Sequence, residues 1–93
     1  MRTVPLSIAA YTASCAAGIG RRTILESLQA RRSGLEANTF TETPLATFLG
    51  RVADIEAAPL PAHLAHWECR NNRLAWLGLQ QDGFFELIKV CLL

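Results

Sequence analysis

The apolar positions of this chain come in separate groups, and their spacing changes from group to group. Residues 4–11, Val-Pro-Leu-Ser-Ile-Ala-Ala-Tyr, form a short, continuous and mostly apolar run. Such a run predicts a strand buried on both faces, weakened at its start because Pro5 has no amide hydrogen to give to a ladder. Residues 12–20 are rich in alanine, serine and glycine and predict a tight loop feeding a helix, with Gly18 and Gly20 free to take positive φ. Over residues 21–32 the period becomes helical. Ile24, Leu25 and Leu28 share one face, with Arg22, Glu26 and Gln29 opposite. Arg31 and Arg32 suit the negative end of that helix, Gly34 suits a left-handed residue just past it, and Leu35 is placed to pack back.

The middle of the chain is punctuated by Thr39, Thr41, Thr43, Pro44, Gly50, Pro59 and Pro61. Within it, residues 45–55 predict a short strand around Phe48, Gly50, Arg51, Val52 and Ile55. Pro61 predicts the first position of a helix carrying Ala62, Leu64, Ala65 and Trp67. Asn71 or Asn72 is placed to cap a further helix over residues 73–81 with Leu74, Leu77 and Leu79 on its apolar face. Gly78 costs that helix about 1 kcal/mol relative to alanine, which predicts close packing at that point. From Phe84 onward the chain turns strongly apolar and ends Val-Cys-Leu-Leu.

Length and composition narrow the function classes. Ninety-three residues make one small domain. Nine Lys and Arg against eight Asp and Glu leave a net charge of +1, without the basic excess that phosphate binding demands, so nucleic acid is not an expected partner. At 51% hydrophobic residues and a mean hydropathy of +0.20, the chain is apolar for its size, which hints at a piece of something larger. Cys15, Cys69 and Cys91 are odd in number and widely spaced, which is not a disulfide framework and points to a reducing compartment. No apolar run is long enough for a membrane span. The amino terminus, with Arg2 before residues 4–17 and Thr-Ala-Ser-Cys at 12–15, has the outline of a weak secretory or lipoprotein signal; Pro5, Ser7, Tyr11, Thr12 and Ser14 interrupt it, and the strand reading is preferred.

Candidate chemistry is sparse. His63, His66 and Cys69 form an H-x-x-H-x-x-C series whose members would sit about 60° apart round a helix, without a fourth ligand at zinc-like spacing. Cys15, between a strand and a helix, occupies a place that can activate a thiol. Gly18-Ile19-Gly20 hints at a phosphate cradle, but Thr23 stands where the third glycine of a dinucleotide fingerprint belongs. Arg70-Asn71-Asn72-Arg73 suits either an anion at a helix start or a cap with a solvated face. Asp54 and Glu56 would face opposite ways on a strand. No catalytic, cofactor-binding or metal-binding residue is assigned from these features.

Two segments together carry a family resemblance. The opening run with its loop Thr-Ala-Ser-Cys-Ala-Ala-Gly, the following helix and the turn Arg31-Arg32-Ser33-Gly34-Leu35 look like the start of a β-ketoacyl-[acyl-carrier-protein] synthase, a family whose loop often reads A-V-S-P-L-G and whose helix ends in a G-R-S-G-[LI] turn. Ser14 matches that loop, and Cys15 stands where the family often has proline. The stretch Leu60-Pro61-Ala62 through Cys69-Arg70-Asn71-Asn72-Arg73-Leu74-Ala75 and Gln80-Gln81 is similar to a bacterial subgroup of the same synthases. The resemblance spans residues 4–83, within a partial domain of residues 1–93.

The resemblance implies an α/β fold, the amino-terminal portion of a thiolase-like α-β-α-β-α sandwich, mostly helical within these residues. It implies a family reaction, the decarboxylative Claisen condensation of an acyl thioester with malonyl-carrier protein in fatty-acid or polyketide synthesis. It also implies acyl carrier protein and a homodimer partner for the whole enzyme, a cytoplasmic setting, no membrane and no cofactor. The family's nucleophilic cysteine and two histidines lie later in its chain, and none of Cys15, Cys69, Cys91, His63 or His66 occupies a matching motif. The chain alone is therefore expected to be inactive. Residues 84–93 depart from the family, which continues with a more polar helix surface; a truncation or a frame change near residue 84 would account for the break. A small non-catalytic helical interaction module, with that tail docked in a partner's groove, is the alternative.

Overall fold

The computed structural model describes residues 3–43 and 45–91, the last without its side chain. The described residues form a small mixed α/β arrangement, mostly helical in its regular structure. Two short strands, β1 (Ser14–Cys15) and β2 (Gly18–Ile19), precede helix α1 (Arg21–Gln29). A second pair, β3 (Leu35–Ala37) and β4 (Phe48–Gly50), is followed by a 3-10 helix (Ala62–Trp67), α2 (Arg70–Leu79) and α3 (Phe84–Cys91). Both sheets are two-stranded and antiparallel, with Ser14 opposite Ile19 in one and Leu35, Glu36 and Ala37 opposite Gly50, Leu49 and Phe48 in the other. Among the described residues no helix is long and apolar enough to cross a membrane.

The strand expected over residues 4–11 does not form. Residues 3–13 have no regular structure, and Val4, Leu6 and Ile8 are 72%, 96% and 82% exposed. Periodicity reported that this run is apolar, but a strand also needs a neighbour, and none of the described strands lies beside it. The short strand expected within residues 45–55 does form, as β4; its partner β3 begins at Leu35, which was expected to fold back on the helix instead.

Small residues at 16–18 are explained by crowding. The Ala16-Ala17 turn joining β1 to β2 sits under Ser27, the one buried residue of α1, whose hydroxyl donates to Ala17 O at 2.7 Å. Gly34 closes over the same turn. A Cβ there would lie 2.4 Å from the Ala16 carbonyl carbon and 2.6 Å from Ala17 N. A Cβ at Gly18 would meet Thr23 Cγ2 at 2.6 Å, and one at Gly50 would meet Ala16 Cβ at 3.1 Å. The two hairpins and α1 thus meet at one point where only small side chains fit.

The end of α1 differs from expectation. The helix stops at Gln29, so Arg31 and Arg32 lie beyond it and not in its last turn. Arg31, not Gly34, takes the left-handed conformation, at φ 55°. Arg31 N donates to Leu28 O and Arg32 N to Ser27 O, the paired bonds of a Schellman turn. A non-glycine residue in that conformation carries a steric cost of about 1 kcal/mol. Arg31→Gly is therefore expected to slow amide exchange over residues 28–32 by roughly two- to fivefold. Unchanged or faster exchange would show that the Arg31 side chain itself holds the turn.

The second helical region also starts earlier than expected. Pro61 is the residue before the 3-10 helix and Cys69 the residue before α2, so neither Asn71 nor Asn72 caps it. Asn72 Nδ2 instead donates back to Trp67 O at 2.7 Å, fastening α2 to the 3-10 helix. Gly78 has open space where its Cβ would be, which contradicts the expected close approach. Among the described residues the buried apolar side chains are Ile55 and Leu60, both in the loop that α2 leans on.

Candidate functional site

Helix α1 is preceded by Gly20, whose φ of 88° only glycine adopts easily, and whose N–H donates to Ala13 O and to Ser14 Oγ. A phosphate at Gly18-Ile19-Gly20 would use the free amides of this helix start. That place is taken. Asp82, brought in from the turn between α2 and α3, accepts the Arg21 N–H at 3.0 Å and the Thr12 hydroxyl at 2.8 Å on the same carboxylate oxygen. The Arg21 guanidinium stands 3.6 Å away and lies over the Tyr11 ring at 4.6 Å. The anion at this helix terminus is the protein's own, so the cradle reading becomes a structural clamp between the two ends of the chain.

The Arg21 amide, then the Thr12 hydroxyl and the Arg21 charge, hold the Asp82 carboxyl below its ordinary 3.8. A carboxylate whose pKa is depressed on folding stabilises the fold above its unfolded pKa, and that contribution is lost as pH falls through the folded value. The clamp is therefore expected to be constant between roughly pH 5 and 8 and to open only as the pH falls below the carboxyl's ordinary 3.8. Amide exchange at Arg21, corrected for its intrinsic pH dependence, should accelerate there. In Asp82→Asn it should be about tenfold faster at neutral pH and should lose the acid step. An acid step that survives in that variant would assign it to another carboxyl.

Glu56 and Glu68 occupy Arg70-Asn71-Asn72-Arg73 from the other side. Arg70 reaches Glu56 Oε1 with Nε at 2.8 Å and Nη2 at 2.6 Å, and Arg51 approaches the same oxygen at 3.8 Å. Arg73 Nε donates to Glu68 Oε2 at 2.8 Å, while its Nη1 donates to the Ile55 and Glu56 carbonyls at 3.0 and 2.9 Å. Glu68 Oε1 also accepts Leu60 N–H at 3.0 Å. The Phe40 ring lies against Arg51 and Arg70, 4.3 and 5.2 Å from their guanidinium carbons. Hydrogen bonds from Arg70 and Arg73 lower the Glu56 and Glu68 carboxyls from their usual 4.5, and the Glu68 bond raises Arg73 in turn. These guanidinium groups anchor the loop carrying Ile55 and Leu60. The cluster is neither an open anion site nor a cap.

The metal-like series does not gather. His63 meets the edge of the Trp76 ring, 6.5 Å between centroids, and His66 stacks obliquely on Trp67 at 4.9 Å. Cys69 is exposed at the start of α2. Among the described residues no three His, Cys, Asp or Glu side chains converge as a ligand set. Cys15 lies in β1 with its thiol exposed and its sulfur accepting Ala17 N–H at 3.4 Å, so it is not at a helix start. Cys91 ends α3, and its side chain lies outside the described residues. Asp54 takes φ 68° in the turn before Ile55, while Glu56 serves the arginines, so the two acids do not pair.

A groove of about 410 Å³ runs beside α1, lined by Tyr11, Ile24, Leu25 and Leu28 with Arg21, Arg22 and Asp82 at its end. Its apolar walls can hold a hydrocarbon or peptide side chain, and among the described residues its lining carries no thiol, hydroxyl nucleophile or histidine apart from the Tyr11 phenol. No protein-family model, curated protein or solved structure matches this chain. Sequence reasoning missed Asp82, whose carboxylate ties the turn before α3 to Thr12 and Arg21. Its local signal, Asp-Gly after a helix with both residues at positive φ, marks a turn and says nothing about a helix start more than sixty residues earlier.

Proposed function

We propose that this chain is a scaffold segment of a β-ketoacyl-[acyl-carrier-protein] synthase, one that supplies packing surface and no catalytic group. The observation that carries the reading is that both segments of family resemblance do structural work: Gly34 of the Arg-Ser-Gly-Leu turn closes over Ala16-Ala17, and Arg73 of Cys-Arg-Asn-Asn-Arg ties α2 to Ile55 and Glu56. Exposed Leu28, Leu35, Phe48 and Trp67 then belong to faces that the remainder of a thiolase-like sandwich covers. In that setting the whole enzyme joins an acyl group to malonyl-carrier protein, working in the cytoplasm with acyl carrier protein and a homodimer partner.

The isolated chain is expected to give no condensation or decarboxylation product from an acyl thioester and malonyl-carrier protein. Turnover above a blank would overturn the scaffold reading. Translation of the neighbouring DNA in all three forward frames tests the family itself: a following strand, a cysteine at a strand-to-helix elbow and two later histidines are expected. Their absence would move the interaction-module reading forward, which the exposed Leu87 and Val90 on α3 favour.

A further inference from the structure

We propose that the Asp82–Gly83 bond is a self-modification site: when the Asp82 clamp opens, the aspartate rearranges to isoaspartate, and the clamp cannot close again. The proposal stands apart from the synthase reading. Cyclisation needs an aspartate followed by an unhindered nitrogen, and glycine offers the least hindrance of any residue. The chain has two aspartates, Asp54 and Asp82. Asp54 precedes Ile55, a branched side chain only 2% exposed. Asp82 precedes Gly83, which is exposed and has open space where a Cβ would stand. Among the described residues no backbone carbonyl accepts the Gly83 N–H, so that nitrogen is free to react.

The reaction needs only water. The Gly83 nitrogen bonds to Asp82 Cγ, while its hydrogen and the carboxyl hydroxyl leave together as water, giving a five-membered imide. Water then adds at the main-chain carbonyl carbon of Asp82, whose bond to the Gly83 nitrogen breaks. The chain now runs through Cβ and Cγ, and the free carboxylate sits directly on Cα. The closed clamp blocks this route twice. Asp82 Oδ2 accepts the Thr12 hydroxyl at 2.8 Å and the Arg21 N–H at 3.0 Å, bonds that favour the ionised group, which has no hydroxyl to lose. A side chain fastened to the start of α1 also cannot swing onto its own following nitrogen. Rearrangement therefore follows the open population.

The product no longer fits the clamp. Phe84 N–H donates to Gln81 O at 3.0 Å across Asp82 and Gly83, whose φ values are 58° and 65°. Rearrangement adds a main-chain carbon inside that turn and removes one from the arm of the carboxylate. The turn lengthens as the arm shortens, so the new carboxylate does not regain Thr12 and Arg21 together. An opening that ends in rearrangement is permanent.

The full chain is incubated for days at neutral pH and body temperature, then cut with trypsin. Cleavage releases residues 74–89, which hold Asp82 and no other aspartate, and electron-transfer fragmentation distinguishes its isoaspartate form. Isoaspartate is expected to accumulate in the chain about tenfold more slowly than in a synthetic peptide of residues 74–89. Thr12→Val, which removes one donor, should speed it about threefold. Arg21→Pro deletes the amide donor at a position where a helix tolerates proline, and should bring the rate close to that of the peptide. Glu68→Gln loosens Arg73 and leaves the clamp alone, so its rate should match the unaltered chain. In the isoaspartate form the Arg21 amide should exchange about tenfold faster than in fresh protein. Equal rates in chain and peptide, no rise in either clamp variant, an equal rise in Glu68→Gln, or an isoaspartate form with Arg21 still protected would each overturn the proposal.

Discussion

Replacing Gly34 by alanine is expected to raise the rate of tryptic cleavage after Arg31 and Arg32 by roughly ten- to a hundredfold. The added Cβ would lie 2.4 to 2.6 Å from three atoms of the Ala16-Ala17 backbone, a separation that real Cβ atoms do not show. Main chain, not a flexible side-chain tip, must move. Overpacking against fixed neighbours costs about 1–3 kcal/mol, and proteolysis of a transiently opened segment follows that opening free energy. The movement would part the β1–β2 turn from both α1 and the β3–β4 hairpin, because Ser27 and Gly50 meet the same two alanines. Gly78→Ala supplies the contrast. Its Cβ would point into open space inside α2, so the substitution should stabilise the helix by about 1 kcal/mol and slow cleavage after Arg73 up to fivefold. Equal effects of the two substitutions would mean that the Gly34 contact is not holding the hairpins together.

Gly34 also shows where reading the sequence reaches its limit. The glycine was legible as a requirement, but its reason was misread: it serves close approach to residues 16–17, while Arg31 supplies the left-handed turn. The body of α1 was legible because Ile24, Leu25 and Leu28 repeat at the helical period, a property of neighbours in sequence. The strand over residues 4–11 was misread because hydrophobicity is local and pairing is not. Asp82 was invisible for the same reason: its partners Thr12 and Arg21 are remote in sequence, and no pattern around residue 82 encodes them. Arg70 and Arg73 were visible as charges at a helix start. Their use became clear only when Glu56 and Glu68 filled their donors.

Heating the dilute chain, at about 1 μM, should give a broad loss of structure without a sharp calorimetric peak. Burial in this chain is thin. Ile55 and Leu60 are the buried apolar residues among those described, while Leu28, Leu35, Phe48 and Val90 are each at least 60% exposed. The radius of gyration is 17.0 Å, where a compact chain of this length has about 12 Å. Cooperative melting needs side chains that lose their contacts together, and folded domains hold only about 5–15 kcal/mol between folded and unfolded states. Here the hydrogen bonds of Asp82, Arg73 and Ser27 fasten elements pairwise, and each pair can open without the others. Strong binding of the dye ANS should accompany the broad transition, since the apolar surface is already exposed before heating. A sharp, reversible transition of a dilute monomer with no ANS signal would show that the exposed side chains collapse into a core of their own. It would also remove the exposed apolar surface from which the scaffold reading is argued.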